Sequence, residues 1–256
     1  MRVLRSPAMN PFLRAAGAAL LCVTALAARS PAEVLDAGRL VVFQGDIPVG
    51  TERFQYEAVG DSIVVTSKVS RRVRSQDGTE KPYTKDMMLV TNKFDFGLVR
   101  YVSNEDFEDD VHVRGILPGD TVMTYYEEQQ EGGTADRLVQ PPGRLFVLDP
   151  LMFTLFDVIC RNLHGKTFDH RPVQLITLAA SGASTPVADV QRGGLDTLRW
   201  GGRRTIARRY TLNDSSGEFI AWANSQGQMI RLEHASGLHV ERDAPALVPL
   251  RKRTGR

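Results

Sequence analysis

The segment Asp149–Gly165 constrains the fold of this chain more than any other part of the sequence. Asp149 and Pro150 favour the start of a helix, and Gly165 favours its end in a left-handed conformation. At about 100° per residue, the apolar side chains cover an arc of roughly 220°. These side chains are Leu151, Met152, Phe153, Leu155, Phe156, Val158, Ile159, Cys160 and Leu163. Because a flat sheet covers only about 100° of a helix, the segment predicts an apolar helix at about 150–164 inside a curved sheet.

The polar stripe of this predicted helix offers little chemistry. It contains Thr154, Asp157, Arg161 and His164, and the spacing of Asp157 and Arg161 predicts an ion pair. Cys160 lies on the apolar arc, where a small buried side chain is favoured over a reactive thiol. The helix therefore predicts a structural element and not an active site.

The start of the chain has the pattern of a secretion signal. Three arginines flank or precede the apolar run 15–26, and Ala25-Leu26-Ala27 resembles a cleavage site. We therefore predict a signal peptide at 1–27 and a periplasmic or secreted protein that is not an integral membrane protein. Removal of the three arginines changes the net charge from +2 to −1, which removes the electrostatic support for nucleic-acid binding.

Most of the remaining chain alternates apolar and polar residues in short runs between turn signals, which is typical of antiparallel strands. The predicted strands before the helix are 39–44, 51–58, 62–74, 83–91, 98–103, 111–117 and 121–128. Those after it are 173–178, 187–191, 205–212, 218–223, 229–233 and 238–242. The fold class predicted is mainly β, with a curved antiparallel sheet, a half-barrel or incomplete barrel, wrapped around one apolar helix. A plain sandwich is the alternative, although it has no obvious place for such a helix.

The predicted organisation has one folded domain. After the signal peptide, a mature N-terminal segment at 28–38 leads to a single antiparallel β domain with one helix at 39–243. No repeat or linker divides this domain. The tail 244–256 is basic and has no apolar pattern beyond its first residues, and we expect it to be disordered.

Three segments carry a resemblance to a known group of proteins. They are Gly45–Glu57, Gly202–Leu212 and Ala221–Glu233, and they resemble uncharacterised secreted bacterial proteins. The shared plan, long antiparallel strands around an apolar helix, is similar to the half-barrel of lipoprotein-localisation carriers and glycolipid-binding proteins. The resemblance implies a concave sheet suited to a lipid or a lipidated protein, and it supplies no functional residue to transfer.

No segment matches a catalytic signature, so we predict that the protein is not an enzyme. The serine hydrolase and zinc protease motifs are absent, and Asp196-Thr197 lacks the glycine of an aspartic protease loop. The histidines fit no standard metal-ligand spacing, and His112 is predicted to face solvent. The acidic run 105–110 lacks the glycine of a calcium loop. We therefore predict no metal and no cofactor.

One arginine cluster has the chemistry of a phosphate site. Arg203, Arg204, Arg208 and Arg209 place cations on both faces of one predicted strand. Guanidinium groups fit phosphate oxygens well. Because the cations point both ways, a solvated outer surface is the favoured interpretation.

Large apolar side chains give the strongest positive indication of function. The candidate cavity-lining residues are Phe54, Tyr56, Met87, Leu89, Tyr125, Met152, Phe153, Phe156 and Ile159. One hypothesis is an exported envelope protein that binds an acyl chain, a lipid or a lipidated partner between sheet and helix. The other is a non-catalytic structural or protein-interaction module with a packed core and an envelope protein as partner; a hydrolase is a distant third. An apolar tunnel of roughly 300 Å³ or more would favour the first hypothesis, and a void-free core would favour the second.

Overall fold

A computed structural model describes most of the predicted mature chain. The described residues are 32–75, 78–108, 110–130, 132–179, 182–214 and 217–244. The predicted signal peptide and all but the first residue of the predicted tail lie outside them. No helix within the described residues has the length and apolar character needed to cross a membrane.

Nine strands precede the helix and seven follow it within the described residues. The first nine are β1 (Glu33–Gln44), β2 (Ile47–Val59), β3 (Ser62–Arg74), β4 (Glu80–Asn92), β5 (Leu98–Phe107), β6 (Asp110–Leu117), β7 (Val122–Gln129), β8 (Gly132–Val139) and β9 (Leu145–Leu148). The helix is α1 (Thr154–Leu163). The last seven are β10 (His170–Ala179), β11 (Gly182–Ser184), β12 (Val187–Trp200), β13 (Arg203–Asp214), β14 (Gly217–Ala223), β15 (Met229–His234) and β16 (Leu238–Arg242).

These strands form one large curved sheet that does not close. Its order is β11-β10-β12-β13-β14-β15-β16-β1-β2-β3-β4-β5-β6-β7-β8, and β9 pairs in parallel with β10. Every other pairing is antiparallel. The first and last described strands meet inside the sheet, where Leu40–Gln44 of β1 pairs with Leu238–Arg242 of β16. The predicted fold class, a mainly β chain with a curved antiparallel sheet around one helix, is confirmed.

The inner face of the sheet carries the buried phase of each strand. In β4, for example, Tyr83, Lys85, Met87 and Leu89 are buried in alternation with more exposed neighbours. The apolar members of this face form a single cluster with α1. The core therefore lies between the concave side of the sheet and the helix.

The helix is shorter than predicted at its start. It begins at Thr154, and Asp149 is not its cap because the Asp149 carboxylate is bound by sheet residues instead. A turn precedes the helix, in which the Met152 N–H donates to the Asp149 carbonyl at 3.1 Å and Leu151 has φ of 70°. At the other end, Gly165 has φ of 73° and leaves the helix in the predicted left-handed conformation.

Several strands differ from the predicted ones. β1 begins at Glu33, before the predicted domain start at residue 39, because its first residues pair with the end of β2. β8 was not predicted, since nearly all of its residues are exposed and it has no alternation. β9 was not predicted either, because its four residues are all buried and resemble an unspecific apolar run.

Candidate functional site: the concave face and its helix

All nine predicted cavity-lining residues lie in one apolar cluster between the concave face and the helix. Phe54, Tyr56, Met87, Leu89 and Tyr125 of the sheet are buried in the same apolar cluster as Met152, Phe153, Phe156 and Ile159. The rings of Phe54 and Tyr56 meet edge to face at 5.9 Å, and those of Phe156 and Phe219 lie 4.7 Å apart. These side chains therefore fill space between sheet and helix and contact one another.

The cavities found in this apolar interior are small. One lies beside Leu155 and Val158 of α1, another lies beside Leu151 and Phe153, and each has a volume of about 10 Å³. A cavity of this size has room for about one water molecule. Clefts of about 450, 480 and 520 Å³ open at the surface and are lined in part by charged residues. The interior cavities are thus far smaller than the roughly 300 Å³ at which small-molecule sites begin.

A buried carboxylate from the sheet binds the start of α1. Glu52 of β2 is 0% exposed and accepts hydrogen bonds from the Phe153 N–H at 2.7 Å and the Thr154 N–H at 3.1 Å. The Ser67 hydroxyl also donates to it at 2.5 Å. The N–H groups of a first helical turn have no partner within the helix, so Glu52 provides the cap from outside. Burial raises the pKa of Glu52, and these hydrogen bonds oppose the rise.

A second polar cluster binds the segment just before α1. The Lys85 ammonium contacts the Asp149 carboxylate and lies 3.3 Å from that of Glu105. Tyr101 and Ser103 donate to the other oxygen of Asp149 at 2.6 and 2.9 Å. The side chains of Lys85 and Asp149 are 1% and 0% exposed. Burial and the nearby charge of Asp149 raise the pKa of Tyr101 well above its ordinary value, so it remains a hydrogen-bond donor.

A third polar cluster joins the polar stripe of α1 to β1, β15 and β16. Arg161 donates to Asp157 at 2.8 Å, which confirms the predicted ion pair. Arg161 also contacts Asp36, and Arg242 binds both oxygens of Asp36 at 2.7 and 2.6 Å. Asp157 accepts a further hydrogen bond from the Met229 N–H at 2.6 Å. Asp157 and Arg161 of the polar stripe are therefore bound by the sheet, whereas His164, just beyond the helix, is exposed.

Two aromatic residues of the predicted set contact this third cluster. The Arg161 guanidinium lies 4.2 Å from the Tyr56 ring centre, and that of Arg242 lies 4.7 Å from the Phe54 ring centre. Cation–π contacts of this kind stabilise a buried cation. Phe54 and Tyr56 thus support the attachment of the helix.

The chemical groups nearest to α1 are a buried thiol and paired charges. Cys160 is buried, and burial raises the pKa of its thiol, so it holds its proton. Within the described residues, no group of three His, Cys, Asp or Glu side chains is placed to hold a metal ion. The charges beneath the helix are paired with one another and hold α1 to the sheet.

A fourth cluster lies at the far side of the concave face and was missed from the sequence. His112 shares the inner phase of β6 with Arg114 and the fully buried Ile116, so the prediction that it faces solvent is wrong. His112 contacts Glu127, and Tyr125 donates to Glu127 at 2.7 Å. The pKa of Glu127 lies below its ordinary value. Burial acts to raise this pKa, but the hydrogen bond from Tyr125 and the interactions with His112 and Arg114 together outweigh burial. The shared parity of His112 and Ile116 was the signal that indicated this arrangement.

Comparison with known proteins supports the fold. No protein-family model matches the chain, and no curated protein matches it in sequence. A beta-barrel-like protein of the domain of unknown function DUF1849 from Brucella abortus is similar with a TM-score of 0.52 and 6% identity, over 82% of this chain and 97% of that one. A DUF1089 family protein from Pseudomonas aeruginosa gives a TM-score of 0.44 and 14% identity, over 72% of this chain and 88% of that one.

The first of these similarities defines a class by fold alone. This chain has the beta-barrel-like fold of the Brucella abortus protein. The half-barrel predicted from the sequence is supported to that extent. A relation to lipoprotein-localisation carriers or glycolipid-binding proteins gains no support from either similarity.

Proposed function

We propose that this protein is a non-catalytic interaction module of the bacterial cell envelope that is filled by its own helix. The observation that carries the proposal is the burial of α1, in which nine of ten residues are buried against the sheet. Because the helix already fills the concave face, the protein interacts with its partners through its outer surface. Export to the envelope is part of the proposal and rests on the signal pattern at 1–27.

The alternative is a carrier for an acyl chain, a lipid or a lipidated partner. The observation in its favour is that the five predicted residues of the sheet belong to one apolar cluster, which an acyl chain would cover if α1 left it; they are Phe54, Tyr56, Met87, Leu89 and Tyr125. Departure of α1 and the segment before it would take the Phe153 and Thr154 N–H groups from the buried Glu52 and the Asp149 carboxylate from the buried Lys85. Each unpartnered buried charge costs several kcal/mol. The three polar clusters therefore support the packed module over the carrier.

The lipid content of the purified exported protein distinguishes these two functions. After gentle purification from the envelope, mass spectrometry of an organic extract should find no stoichiometric lipid. A fluorescent fatty acid should show no saturable uptake, because the cavities found beside α1 among the described residues have room for only about one water molecule each. A fatty-acid-binding protein treated in the same way serves as the positive control. One bound lipid per chain, or saturable uptake by the wild-type protein, would contradict the proposal.

A further inference from the structure

The end of the β12–β13 hairpin forms a two-stranded arm, defined here as Leu195–Ala207. β13 pairs with β14 only over Arg208–Asp214, and β12 pairs with β10 only over Val187–Gln191. A register shift between Arg192 and Leu195 marks the base of the arm. Among the described strands, the two strands of the arm therefore pair only with each other, and both outer edges of the arm are free of strand pairing.

One face of the arm is fixed to the protein. The Trp200 indole donates to the Arg242 carbonyl at 2.7 Å, and the Trp222 indole donates to Asp196 at 2.8 Å. Ala207 packs with Trp222 and Ile230 in a second apolar cluster outside the main core. These contacts set the orientation of the arm, so its other face is held toward solvent.

The outward face of the arm combines exposed apolar side chains with cations. Leu195 is 61% exposed and Ile206 is 64% exposed. Arg199 and Arg204 are both exposed and lie directly opposite each other. Like charges in such a pair repel each other. Within the described residues neither of these two arginines is in an ion pair, although Arg209 on the opposite face lies 3.9 Å from Asp196.

The spacing of these groups fits a partner strand. Along β13, the outward face carries Arg204 and Ile206 within the arm and Arg208 just beyond it, where β13 pairs with Ala223 of β14. These side chains alternate as cation, apolar side chain and cation. Arg208 is held in place by donation to the Gly193 carbonyl at 2.9 Å. A segment with carboxylate, apolar and carboxylate side chains at every second position would match this row. Arginine forks bind carboxylates through two hydrogen bonds.

We propose that the outward face and free edge of the arm bind an extended acidic segment of a partner protein. The proposal rests on the proposed function as an interaction module and names the chemistry of its partner. The unpaired backbone of an edge strand accepts a peptide as an added strand, with affinity from the main chain and specificity from side chains. This free edge favours a peptide over an anionic membrane. A peptide backbone forms a ladder of hydrogen bonds with the N–H and C=O groups of the edge, and a lipid has no backbone that forms such a ladder.

A designed peptide tests this surface directly. The probe is a fluorescein-labelled peptide, Glu-Thr-Val-Thr-Glu-Thr-Val-Thr-Glu, and its binding to the exported protein is followed by fluorescence polarisation. We expect saturable binding that Arg199→Glu with Arg204→Glu weakens at least about tenfold and that falls with salt. Ile206→Asn should also weaken binding. A peptide with lysine in place of glutamate should not bind. N-methyl groups on alternate residues should abolish binding in the phase whose N–H groups face the arm and should preserve it in the other phase.

Matched variants elsewhere control for net charge and surface polarity. Arg53→Glu with Arg72→Glu makes the same charge change at exposed arginines of β2 and β3, and Ile47→Asn replaces an aliphatic side chain that is 68% exposed. These variants should bind the peptide as the wild type does, and circular dichroism should show all variants folded.

Three outcomes would overturn the proposal. They are no saturable binding by the wild type, an equal loss in the control variants, and arm-dependent binding to phosphatidylglycerol vesicles without peptide binding. The residues of the arm are not part of the apolar cluster around α1, so the lipid experiment is independent of the peptide experiment. A lipid-filled protein that still binds the peptide would refute the packed module alone, and a lipid-free protein that ignores the peptide would refute the arm alone.

Discussion

Replacement of Lys85 by methionine should lower the free energy of unfolding by about 3–5 kcal/mol. Lys85 is buried against Asp149 and lies 3.3 Å from Glu105, so its loss leaves a carboxylate in the interior without its cation. Methionine retains most of the side-chain volume, and the effect is therefore one of charge and not of a cavity. Tyr101 and Ser103 still donate to Asp149 in the variant, which limits the loss.

Urea unfolding of the wild type and the variant measures this change. Lys68→Met is the matched control, because the Lys68 side chain is 55% exposed and its ion pair with Asp86 is at the surface. Surface pairs contribute about 0–1 kcal/mol, so the control should unfold as the wild type does. If Lys85→Met also changes stability by less than about 1 kcal/mol, the buried ion pair does not anchor the segment before α1.

Replacement of Phe156 by aspartate should prevent stable folding. Phe156 is 8% exposed and packs against Phe219 with ring centres 4.7 Å apart. The change removes a large apolar side chain, which alone costs about 3–5 kcal/mol. It also places an unpaired charge in the core, and the sum is comparable to the total stability of a typical domain.

Thermal melting followed by circular dichroism tests this expectation. Phe94→Asp makes the same chemical change at a side chain that is 81% exposed, and it should melt near the wild-type temperature. A cooperative wild-type-like transition for Phe156→Asp would mean that the inner face of the helix has been assigned incorrectly.

The architecture was predictable because its signals are local. The apolar arc of the segment before Gly165 needs a curved surface, and alternating strands such as Thr51–Ala58 provide one. β8 has no such signal, since an exposed edge strand places no demand on side-chain polarity. The arm was also unpredicted as an extension of β12, because its residues are partly polar on both faces.

The polar attachment of the helix could not be read from the chain. Glu52 binds Thr154 and Lys85 binds Asp149 across long stretches of sequence, and only the sheet register brings them together. For the same reason Asp149 resembled a helix cap. Local pattern favours the nearest amide as its partner, but a buried lysine that needs a counter-charge competes successfully.

Sequence patterns group the candidate residues and leave open what they do. A sequence can place Phe54 and Phe156 on facing surfaces, as their alternation and helical phase did. Whether such surfaces touch or enclose a ligand depends on packing at the scale of a single methyl group. The small cavities beside α1 support contact between the surfaces.

Hydrogen exchange of the α1 amides tests the central claim, that the helix permanently fills the concave face. Amides exchange through local opening where a segment is loosely held and through global unfolding where it belongs to the core. We predict that the amides of Phe156–Leu163 exchange as slowly as those in the middle of β2, β3 and β4. Faster exchange of α1 while these strands remain protected would contradict the account, because it would show a helix that leaves its seat and opens the concave face to a ligand.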